Sequence, residues 1–288
     1  MKQIDELLEH LTLERIEHNI FRGKSKFVGS PRVFGGQVMA QALYAAMQTV
    51  PADRHVHSLH GYFLLAGDLN VPIIFDVDRI RDGGSFTTRR IVAIQKGKAI
   101  FNMAASFQLE QDGYDHQIPF PDVPPPEELE NREGLVEKYQ DNWPDYFKVL
   151  YQMARPLEYR PVETYDPFLP GKQPPFKFVW VRSKGTMPDE LNQHKLILTY
   201  LSDYNLLSTA KLPHGDVLTF KNTQIASLDH AMWFHRNFRI DDWILYSIDS
   251  PSASGARGFT RGNFFTRDGK LIASTVQEGL MRPFKAKD

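Results

Sequence analysis

The sequence predicts an α+β fold in which a curved antiparallel sheet wraps around a central helix, and it predicts this unit twice in tandem. The first observation is an apolar helical segment from Gly36 to Val50, whose scarcity of polar residues is typical of a helix enclosed by other structure. The second is a series of four strand-like runs within residues 57–108, rich in β-branched and aromatic residues. Turns such as Asp82-Gly83-Gly84 separate the runs, and turns this short join antiparallel neighbours.

The second half of the chain repeats this plan. A helical segment from about Pro188 to Thr209 precedes four further strand-like runs. The turn at Gly269 corresponds to the turn at Gly97 in the first half, 172 residues earlier (269 − 97). Tyr246 likewise corresponds to Phe75, 171 residues earlier (246 − 75). Two distant landmarks that keep nearly the same offset indicate an internal duplication. A single-copy fold is the alternative that this pattern disfavours.

A proline-rich stretch separates the two halves. Its three consecutive prolines, at 124–126, disfavour regular hydrogen-bonded structure and favour an extended connector. A helical patch from Leu135 to Met153 is expected to pack on the outside. We therefore predict an N-terminal repeat over residues 1–115, a connector over residues 116–155, and a C-terminal repeat over residues 156–288 that carries the functional residues.

Composition narrows the class of protein. Of 288 residues, 42% are hydrophobic and 24% charged, the balance of a globular chain. A formal net charge of −1 gives no overall attraction to nucleic acid or to an anionic membrane, so neither is an expected partner. The absence of cysteine excludes disulfides, thiolate metal sites and a cysteine nucleophile. No run has the length and apolarity of a spanning helix, and the acidic start lacks a signal-peptide pattern, so we predict a cytoplasmic protein without membrane insertion.

Several common catalytic signatures are missing from the sequence. Gly83–Thr87 lacks the closing glycine of a G-x-S-x-G elbow, and neither a dinucleotide-binding G-x-G-x-x-G nor a phosphate loop occurs. Two groups of histidines, within residues 55–60 and 230–235, lack the spacing and the carboxylates of a zinc site. The sequence therefore predicts no metal and no cofactor, and it disfavours nucleotide hydrolysis and dinucleotide redox chemistry.

The chain resembles the type II acyl-CoA thioesterase family in six segments, which keep the family's order and spacing: VFGGQV, HSLHGYF, SDYNLL, LDHAMWFHR, SASGARGF and ASTVQEGLMR. The resemblance covers nearly the whole chain and is weakest in the connector. It implies a double hotdog fold and hydrolysis of fatty acyl-CoA to free fatty acid and coenzyme A, a reaction of lipid metabolism. It also implies assembly into a homo-oligomer, a dimer or a tetramer.

The resemblance assigns three catalytic residues. In the family an aspartate on the second long helix, a hydroxyl residue on the next strand and a glutamine on the last strand activate the hydrolytic water, and these match Asp203, Ser227 and Gln277. Bacterial members carry threonine where Ser227 stands, and both residues supply a hydroxyl. A carboxylate can take the proton of a water that attacks a thioester, while a hydroxyl and an amide orient that water. We expect backbone N–H groups, assisted by Gln277, to hold the oxyanion.

Considered without the resemblance, each of these residues has an ordinary interpretation. A helical Asp203 would be solvated or paired with a cation, Ser227 would pack across strands, and Gln277 would be a polar group at a sheet edge. Only the family match raises the three residues together to candidates for one catalytic site.

Cations are expected near the mouth of an apolar acyl channel, where they would bind the phosphates of coenzyme A. Arg89, Arg90, Arg257 and Arg261 are the candidates by residue type and by their position near strand turns. For each of them an exposed strand arginine is the ordinary alternative.

His57 occupies, in the first repeat, the place that Ser227 holds in the second (227 − 57 = 170). It is therefore either a structural residue or a substrate-binding residue. The first helix contains no Asp or Glu, and Ala105 stands where Gln277 stands under the offset of 172 (277 − 105). We accordingly expect one active centre per chain.

Two other functions stay open at this point. A hotdog hydratase or dehydratase would need a histidine paired with a carboxylate, and the pair Asp229-His230 has side chains on opposite faces of a strand. We expect these two residues to support the fold instead. A non-catalytic acyl-CoA binding protein is the second alternative, and measured turnover separates it from an enzyme.

Overall fold

A single antiparallel sheet runs through both halves of the protein, and within the described residues it contains thirteen strands. The structure is a computed structural model that describes residues 3–153, 155–166, 168, 171–218 and 222–284. In chain order the strands are β1 (Glu14–Glu17), β2 (Ile20–Gly23), β3 (Arg54–Phe63), β4 (Ile73–Asp82), β5 (Phe86–Gln95), β6 (Lys98–Leu109), β7 (Leu157–Pro161), β8 (Phe176–Ser183), β9 (Thr223–Ser227), β10 (Asp229–Phe234), β11 (Ile244–Ser254), β12 (Arg257–Thr266) and β13 (Leu271–Pro283).

The strand order shows how the two repeats are joined. It is β1-β2-β4-β5-β6-β3-β10-β13-β12-β11-β8-β7, with β9 paired to the end of β13. Strands β3 and β10 pair antiparallel at the centre, with Leu59 opposite Met232, so the sheet of one repeat continues into that of the other. The predicted joining of the two sheets is confirmed.

Six α-helices accompany the sheet in the described part of the chain. They are α1 (Ile4–Leu11), α2 (Gly35–Met47), α3 (Arg132–Tyr139), α4 (Asp145–Gln152), α5 (Leu191–Ser202) and α6 (Leu206–Lys211). Helices α2 and α5 are almost wholly buried and form the main core with the concave face of the sheet. Among the residues described, no helix is both long and apolar enough to cross a membrane.

The central helices pack backbone to backbone at one point. A Cβ atom on Gly36 would lie 2.2 Å from the carbonyl oxygen of Tyr200 and 2.6 Å from the ring of Phe34. The beginning of α2 therefore touches the end of α5, and the two helices run antiparallel. This contact brings the first turn of one repeat's helix next to the last turn of the other's.

The duplication is visible in matching ion pairs. Arg90 pairs with Asp78 at 2.8 Å across β5 and β4, and Arg261 pairs with Asp249 at 2.5 Å across β12 and β11. The two arginines and the two aspartates both keep the offset of 171 (261 − 90 and 249 − 78). The predicted double hotdog architecture is confirmed. The exact limits of its three predicted parts, at residues 115 and 155, stay predictions.

Two predicted elements are broken, and both breaks lie at the candidate site. The helix expected from Pro188 to Thr209 stops at Ser202 and restarts at Leu206, because Asn205 takes a left-handed conformation with φ of 72°. The strand expected over residues 225–235 is split into β9 and β10. There Asp229 Oδ1 accepts the Glu278 backbone N–H at 2.7 Å in place of a regular ladder bond.

The connector between the two repeats packs against the second repeat. Its helices α3 and α4 are short, and upstream of them Phe120 and Val123 pack on a second apolar cluster formed by Trp180, Trp243 and neighbours. The Trp180 indole N–H donates to the Pro124 carbonyl at 2.9 Å, which fixes the proline-rich stretch to β8. The expectation that the helical patch of residues 135–153 packs on the outside stays a prediction, and α3 lines a hollow beside the candidate site.

We expect Gly36→Ala to destabilise the protein by about 1–3 kcal/mol, since the new methyl group would clash with a backbone oxygen that cannot move independently. Urea unfolding followed by circular dichroism measures the change. Gly84→Ala is the matched control, because a Cβ at Gly84 meets nothing within 4 Å. Equal stability of the two variants would contradict the close helix contact described here.

Candidate active site

Asp203 directly follows α5 and is the first residue of the break between α5 and α6. Its backbone still has helical angles, and the left-handed Asn205 then turns the chain away. The carboxylate points to the beginning of α2, where Oδ2 accepts the Gly36 backbone N–H at 2.9 Å. The amino-terminal end of a helix favours negative charge, so the fold places this aspartate where a second helix stabilises its ionised form.

The other two predicted catalytic residues reach the same carboxylate from two strands. Gln277 Nε2, on β13, donates to Asp203 Oδ1 at 2.7 Å. Ser227 Oγ, at the end of β9, donates to the same oxygen at 3.5 Å, the long limit of a hydrogen bond. The structure thus brings Asp203, Ser227 and Gln277 together from a helix end and two strands. We call these three residues the Asp203 cluster.

The electrostatic state of Asp203 is a balance of burial and donors. Burial raises the pKa of its carboxyl above the ordinary value of 3.8, and the donors Gln277, Gly36 and Ser227 oppose the rise. A carboxylate with a raised pKa is a stronger base, in its ionised form, than a solvated carboxylate. This is the condition that a general base requires.

A histidine that the sequence analysis assigned to the fold lies directly behind this cluster. The His230 side chain is 1% exposed, and burial lowers its pKa to about 3, so the ring is neutral. Its Nδ1 is 3.3 Å from Gln277 Nε2, and its Nε2 lies 3.0 Å from Ser202 Oγ and 2.9 Å from Thr275 Oγ1. Sequence alternation along β10 gave the face of this residue but not its neighbours.

The hydrogens of this network can be placed because both hydroxyls beside the ring donate to backbone carbonyls. Ser202 Oγ donates to Thr199 O at 2.9 Å, and Thr275 Oγ1 donates to Ala231 O at 2.8 Å. With the one hydrogen of each hydroxyl on its carbonyl, both hydroxyl oxygens accept from the ring Nε2, and we therefore assign the ring proton to Nε2. The ring Nδ1 is then an acceptor, and the Gln277 amide donates to it.

The Gln277 amide consequently has only its oxygen left without a hydrogen-bond partner. Both hydrogens of Nε2 are used, one by Asp203 Oδ1 and one by His230 Nδ1. Its Oε1 is buried and has no hydrogen-bond partner in the described part of the chain. The expectation that Gln277 assists the oxyanion stays a prediction, and in this arrangement both hydrogens of its amide are already bonded. Gly36 N–H is likewise bonded to Asp203, and a backbone donor for the oxyanion stays a prediction.

Comparison with known proteins gives the family of a chain with this site. Residues 25–108 match the family model described as acyl-CoA thioesterase N-terminal domain, and residues 148–280 match the model described as acyl-CoA thioesterase. Acyl-CoA thioesterase 2 of Haemophilus influenzae is 39% identical over 97% of this chain and 98% of its own length. The chain belongs to the acyl-CoA thioesterase family.

Other family members agree in sequence and in fold. Human acyl-coenzyme A thioesterase 8 is 40% identical over 94% of this chain and 87% of its own length. A solved acyl-CoA thioesterase II from Mycobacterium marinum superposes with a TM-score of 0.80 at 42% identity, covering 96% of this chain and 98% of its own. The resemblance found in the sequence is confirmed.

Arg89, the first candidate for phosphate binding, lies far from the Asp203 cluster. Its side chain is 1% exposed and donates to Thr49 Oγ1 and Thr49 O, both at 2.9 Å, and to Asp82 Oδ1 at 2.6 Å. Thr49 follows the end of α2, whose 13 residues put it about 20 Å from Gly36. Arg89 therefore ties the far end of the helix to the sheet.

The remaining predicted binding residues also have partners within the protein. Arg90 and Arg261 are the exposed halves of the matching ion pairs, and Arg257 pairs with Glu278 at 2.8 Å. His57 Nε2 lies 2.8 Å from Ser106 Oγ, and burial, with help from the Lys195 cation, lowers the pKa of its ring. Within the described ranges none of these residues forms a hydrogen bond or an ion pair with the Asp203 cluster, so their role in substrate binding stays a prediction.

Two hollows meet beside Asp203 at Phe34, which lines both. The first, which we call the apolar hollow, has a volume of about 470 Å³ and includes Asp203 and Ser227 themselves. Its other walls are mainly hydrophobic: Val33, Val38, Phe63, Leu64, Leu65, Ile100, Leu207 and Ile225.

The second hollow, which we call the cationic hollow, also measures about 470 Å³ and begins at Tyr204, directly after Asp203. Arg155 and Lys177 line it, together with Arg132 of the connector helix α3. Burial lowers the pKa of Lys177 to about 8, with a smaller effect from the nearby Lys211. The Tyr159 hydroxyl is buried here and has no partner among the residues described. The connector thus contributes a cation to the surroundings of the site.

The buried neutral His230 predicts a stability that falls on the acid side. Its folded-state pKa of about 3 lies below the ordinary 6.5, so below pH 6.5 only the unfolded chain takes up this proton. Between pH 6.5 and pH 5 this contribution alone costs about 2 kcal/mol, at about 1.4 kcal/mol per pH unit. Urea unfolding at pH 7.5 and pH 5 should therefore show a smaller loss of stability for His230→Asn than for the wild type. The matched control His18→Asn removes an exposed histidine and should behave as the wild type; an unchanged loss in His230→Asn would contradict the burial.

Proposed function

We propose that the protein hydrolyses fatty acyl-CoA to free fatty acid and coenzyme A, using a water that Asp203, Ser227 and Gln277 activate. The observation that carries the proposal is the convergence of a carboxylate, a hydroxyl and an amide at the start of a helix from the other repeat. Membership of the acyl-CoA thioesterase family supports the choice of substrate. In this proposal Asp203 is the base, Gln277 Oε1 is an acceptor that orients the water, and Ser227 donates to the Asp203 carboxylate.

The mechanism follows from the two acceptors that the cluster presents. A water between Asp203 and Gln277 Oε1 donates one hydrogen to each, which turns its lone pair toward the thioester carbonyl carbon. As the C–O bond forms, the water proton passes to Asp203. The tetrahedral intermediate then collapses, the C–S bond breaks, and the proton on Asp203 passes to the departing sulfur. Asp203 is returned to its ionised form, and neither a covalent intermediate nor a metal is required.

The two hollows suit the two ends of the substrate. The apolar hollow fits the acyl chain, since hydrocarbon surface gains most from hydrophobic walls. The cationic hollow fits the phosphate-bearing nucleotide of coenzyme A, because Arg155 and Lys177 supply charge and the surrounding rings supply surfaces for an adenine. This assignment replaces the strand arginines, whose charges are already paired, as the principal phosphate-binding groups.

The hydratase alternative has no support from the geometry around Asp229 and His230. The carboxylate of Asp229 accepts the Glu278 backbone N–H, and His230 is buried behind Gln277. A non-catalytic acyl-CoA binding protein is excluded only by turnover. The predicted cytoplasmic location, the homo-oligomeric state and the role in fatty acid metabolism stay predictions.

Replacing Asp203 tests the proposed base. We expect Asp203→Asn to lower kcat with palmitoyl-CoA by about 10²–10⁴-fold, the usual contribution of general-base catalysis. The wild-type rate should fall on the acid side around a pH above 3.8, because Asp203 must be ionised and burial raises its pKa. Released thiol is followed with a thiol reagent, to which a chain without cysteine contributes no background.

The matched control for this experiment is Asp112→Asn, which removes an exposed carboxylate and should keep full activity. Full activity of Asp203→Asn would overturn the mechanism. No thiol release by the wild type from short, medium and long acyl-CoA would overturn the hydrolase function itself.

A pair of substrates tests the cationic hollow. We expect Arg155→Met to raise KM for palmitoyl-CoA about tenfold, since one charge-assisted hydrogen bond contributes roughly 1.5–3 kcal/mol. KM for palmitoyl-pantetheine, which lacks the nucleotide, should be unchanged, and so should kcat for both. Arg79→Met, which removes an arginine bonded to Asn19, serves as the control. An equal rise in KM for both substrates would contradict phosphate binding by Arg155.

A further inference from the structure

We propose that His230 is a positioning residue for the reaction, one that holds the Gln277 amide with its oxygen toward the attacking water. The proposal rests on the proposed function, because it concerns the same water. His230 touches neither the substrate nor the water. It acts through Gln277, whose Nε2 lies 3.3 Å from the ring Nδ1.

The orientation of this amide decides what it does to the water. In the orientation described, Nε2 faces the two acceptors Asp203 Oδ1 and His230 Nδ1, and Oε1 is left free. The flipped orientation, with the amide oxygen and nitrogen exchanged, would bring Oε1 against both acceptors and aim two N–H groups at the water. The water would then receive hydrogens at the lone pair that it needs for attack.

Asp203 alone cannot hold the amide throughout the reaction. While ionised it accepts from Nε2, but once it has taken the water's proton it is itself a donor and can bond Oε1 equally well. His230 does not change in this step, because its Nδ1 has a lone pair and no hydrogen before and after. The ring therefore supplies the orientation when the carboxyl no longer does.

The surroundings of His230 fix its own state. Its Nε2–H is shared by Ser202 Oγ at 3.0 Å and Thr275 Oγ1 at 2.9 Å, and both hydroxyls are committed to backbone carbonyls. Ser202 precedes Asp203 in the chain, and Thr275 lies two residues before Gln277 on the same strand. The ring thus bridges the helix end that carries the base and the strand that carries the amide. Burial keeps the ring neutral, since it lowers the pKa to about 3.

Kinetics of paired substitutions test the proposal. His230→Leu removes the acceptor, and we expect kcat with palmitoyl-CoA to fall about 10–100-fold with KM changed less than twofold. His230→Asn can place its side-chain oxygen near the position of Nδ1 and should restore most of this loss. In a Gln277→Ala background, His230→Leu should cause no further loss, since a residue that acts through another has no effect once that other is gone.

A control separates this role from general support of the fold. His194 is also a buried histidine, but it lies near the beginning of α5, away from Gln277. Its Nδ1 accepts a hydrogen bond from the Ile240 backbone N–H. We expect His194→Leu to lower the melting temperature and to leave kcat unchanged. Wild-type kcat in His230→Leu, or the same fold-loss with and without Gln277, would overturn the proposal.

A measurement on the wild-type protein covers the case in which His230→Leu does not fold. In ¹⁵N spectra of histidine-labelled protein, the signal lost in His230→Asn should show the Nε2–H tautomer and stay neutral between pH 7 and pH 5. A proton on Nδ1, or a charged ring in this range, would overturn the proposal. Its failure is distinct from failure of the proposed function, which would appear as no thiol release by the wild type.

Discussion

A single carboxylate held between the ends of two antiparallel helices is the constraint that organises the site. Asp203 ends α5, where the helix dipole disfavours negative charge, and it faces the first turn of α2, where the dipole favours it. Only a close approach of the two helices lets Gly36 N–H reach Oδ2, and that approach requires the absence of a side chain at Gly36. The position of the Asp203 carboxylate therefore depends directly on how closely the two core helices pack.

This arrangement explains why the two repeats differ. The three side chains of the Asp203 cluster come from the second repeat, whereas the helix start that stabilises the Asp203 charge comes from the first. In the first repeat the charged group near His57 is Lys195, whose Nζ donates to Val56 O at 3.0 Å and whose charge helps to lower the pKa of His57. His57 therefore lies near a cation, whereas Ser227 is bonded to a carboxylate, and Ala105 provides no amide. The duplicated fold thus keeps both frames but differs in the chemistry of its two ends.

The sequence predicted the strands that the two halves share, but it did not predict the local breaks, such as the turn at Asn205, that distinguish the second half. The nearly constant offset between the two halves predicted the strands, because equal spacing along the chain gives equivalent residue pairs in the two sheets, as in β4 with β5 and β11 with β12. Nothing in the helical pattern over residues 188–209 signalled that Asn205 would turn left-handed, although this turn frees Asp203 to leave the helix. Arg89 was a fair candidate for phosphate binding by its position near a turn, yet the end of α2 covers it. Such facts depend on which element packs over which, and local patterns do not contain that.

His230 shows the same limit within the site. Alternation along a strand assigns it to the face opposite Asp229, and that much was right. The protonation of the His230 ring depends on the hydroxyls of Ser202 and Thr275 and on their hydrogen bonds to backbone carbonyls. Only the fold brings these groups together. The resemblance to the family named the three residues of the Asp203 cluster but gave no reason for the histidine next to them.

The Gln277 Oε1 atom is the one acceptor of the Gln277–Asp203–His230 hydrogen-bond network that is left without a partner among the described residues. A buried acceptor without a partner costs roughly 1–3 kcal/mol, and Oε1 has no partner among the described residues. Turning the amide would not remove this cost, since Oε1 would then face two acceptors, Asp203 Oδ1 and His230 Nδ1. In the proposed mechanism a water donates to Oε1 and to the Asp203 carboxylate, which would satisfy the buried acceptor. The proposed nucleophile would then be bound through an unsatisfied group that the packing of the protein maintains.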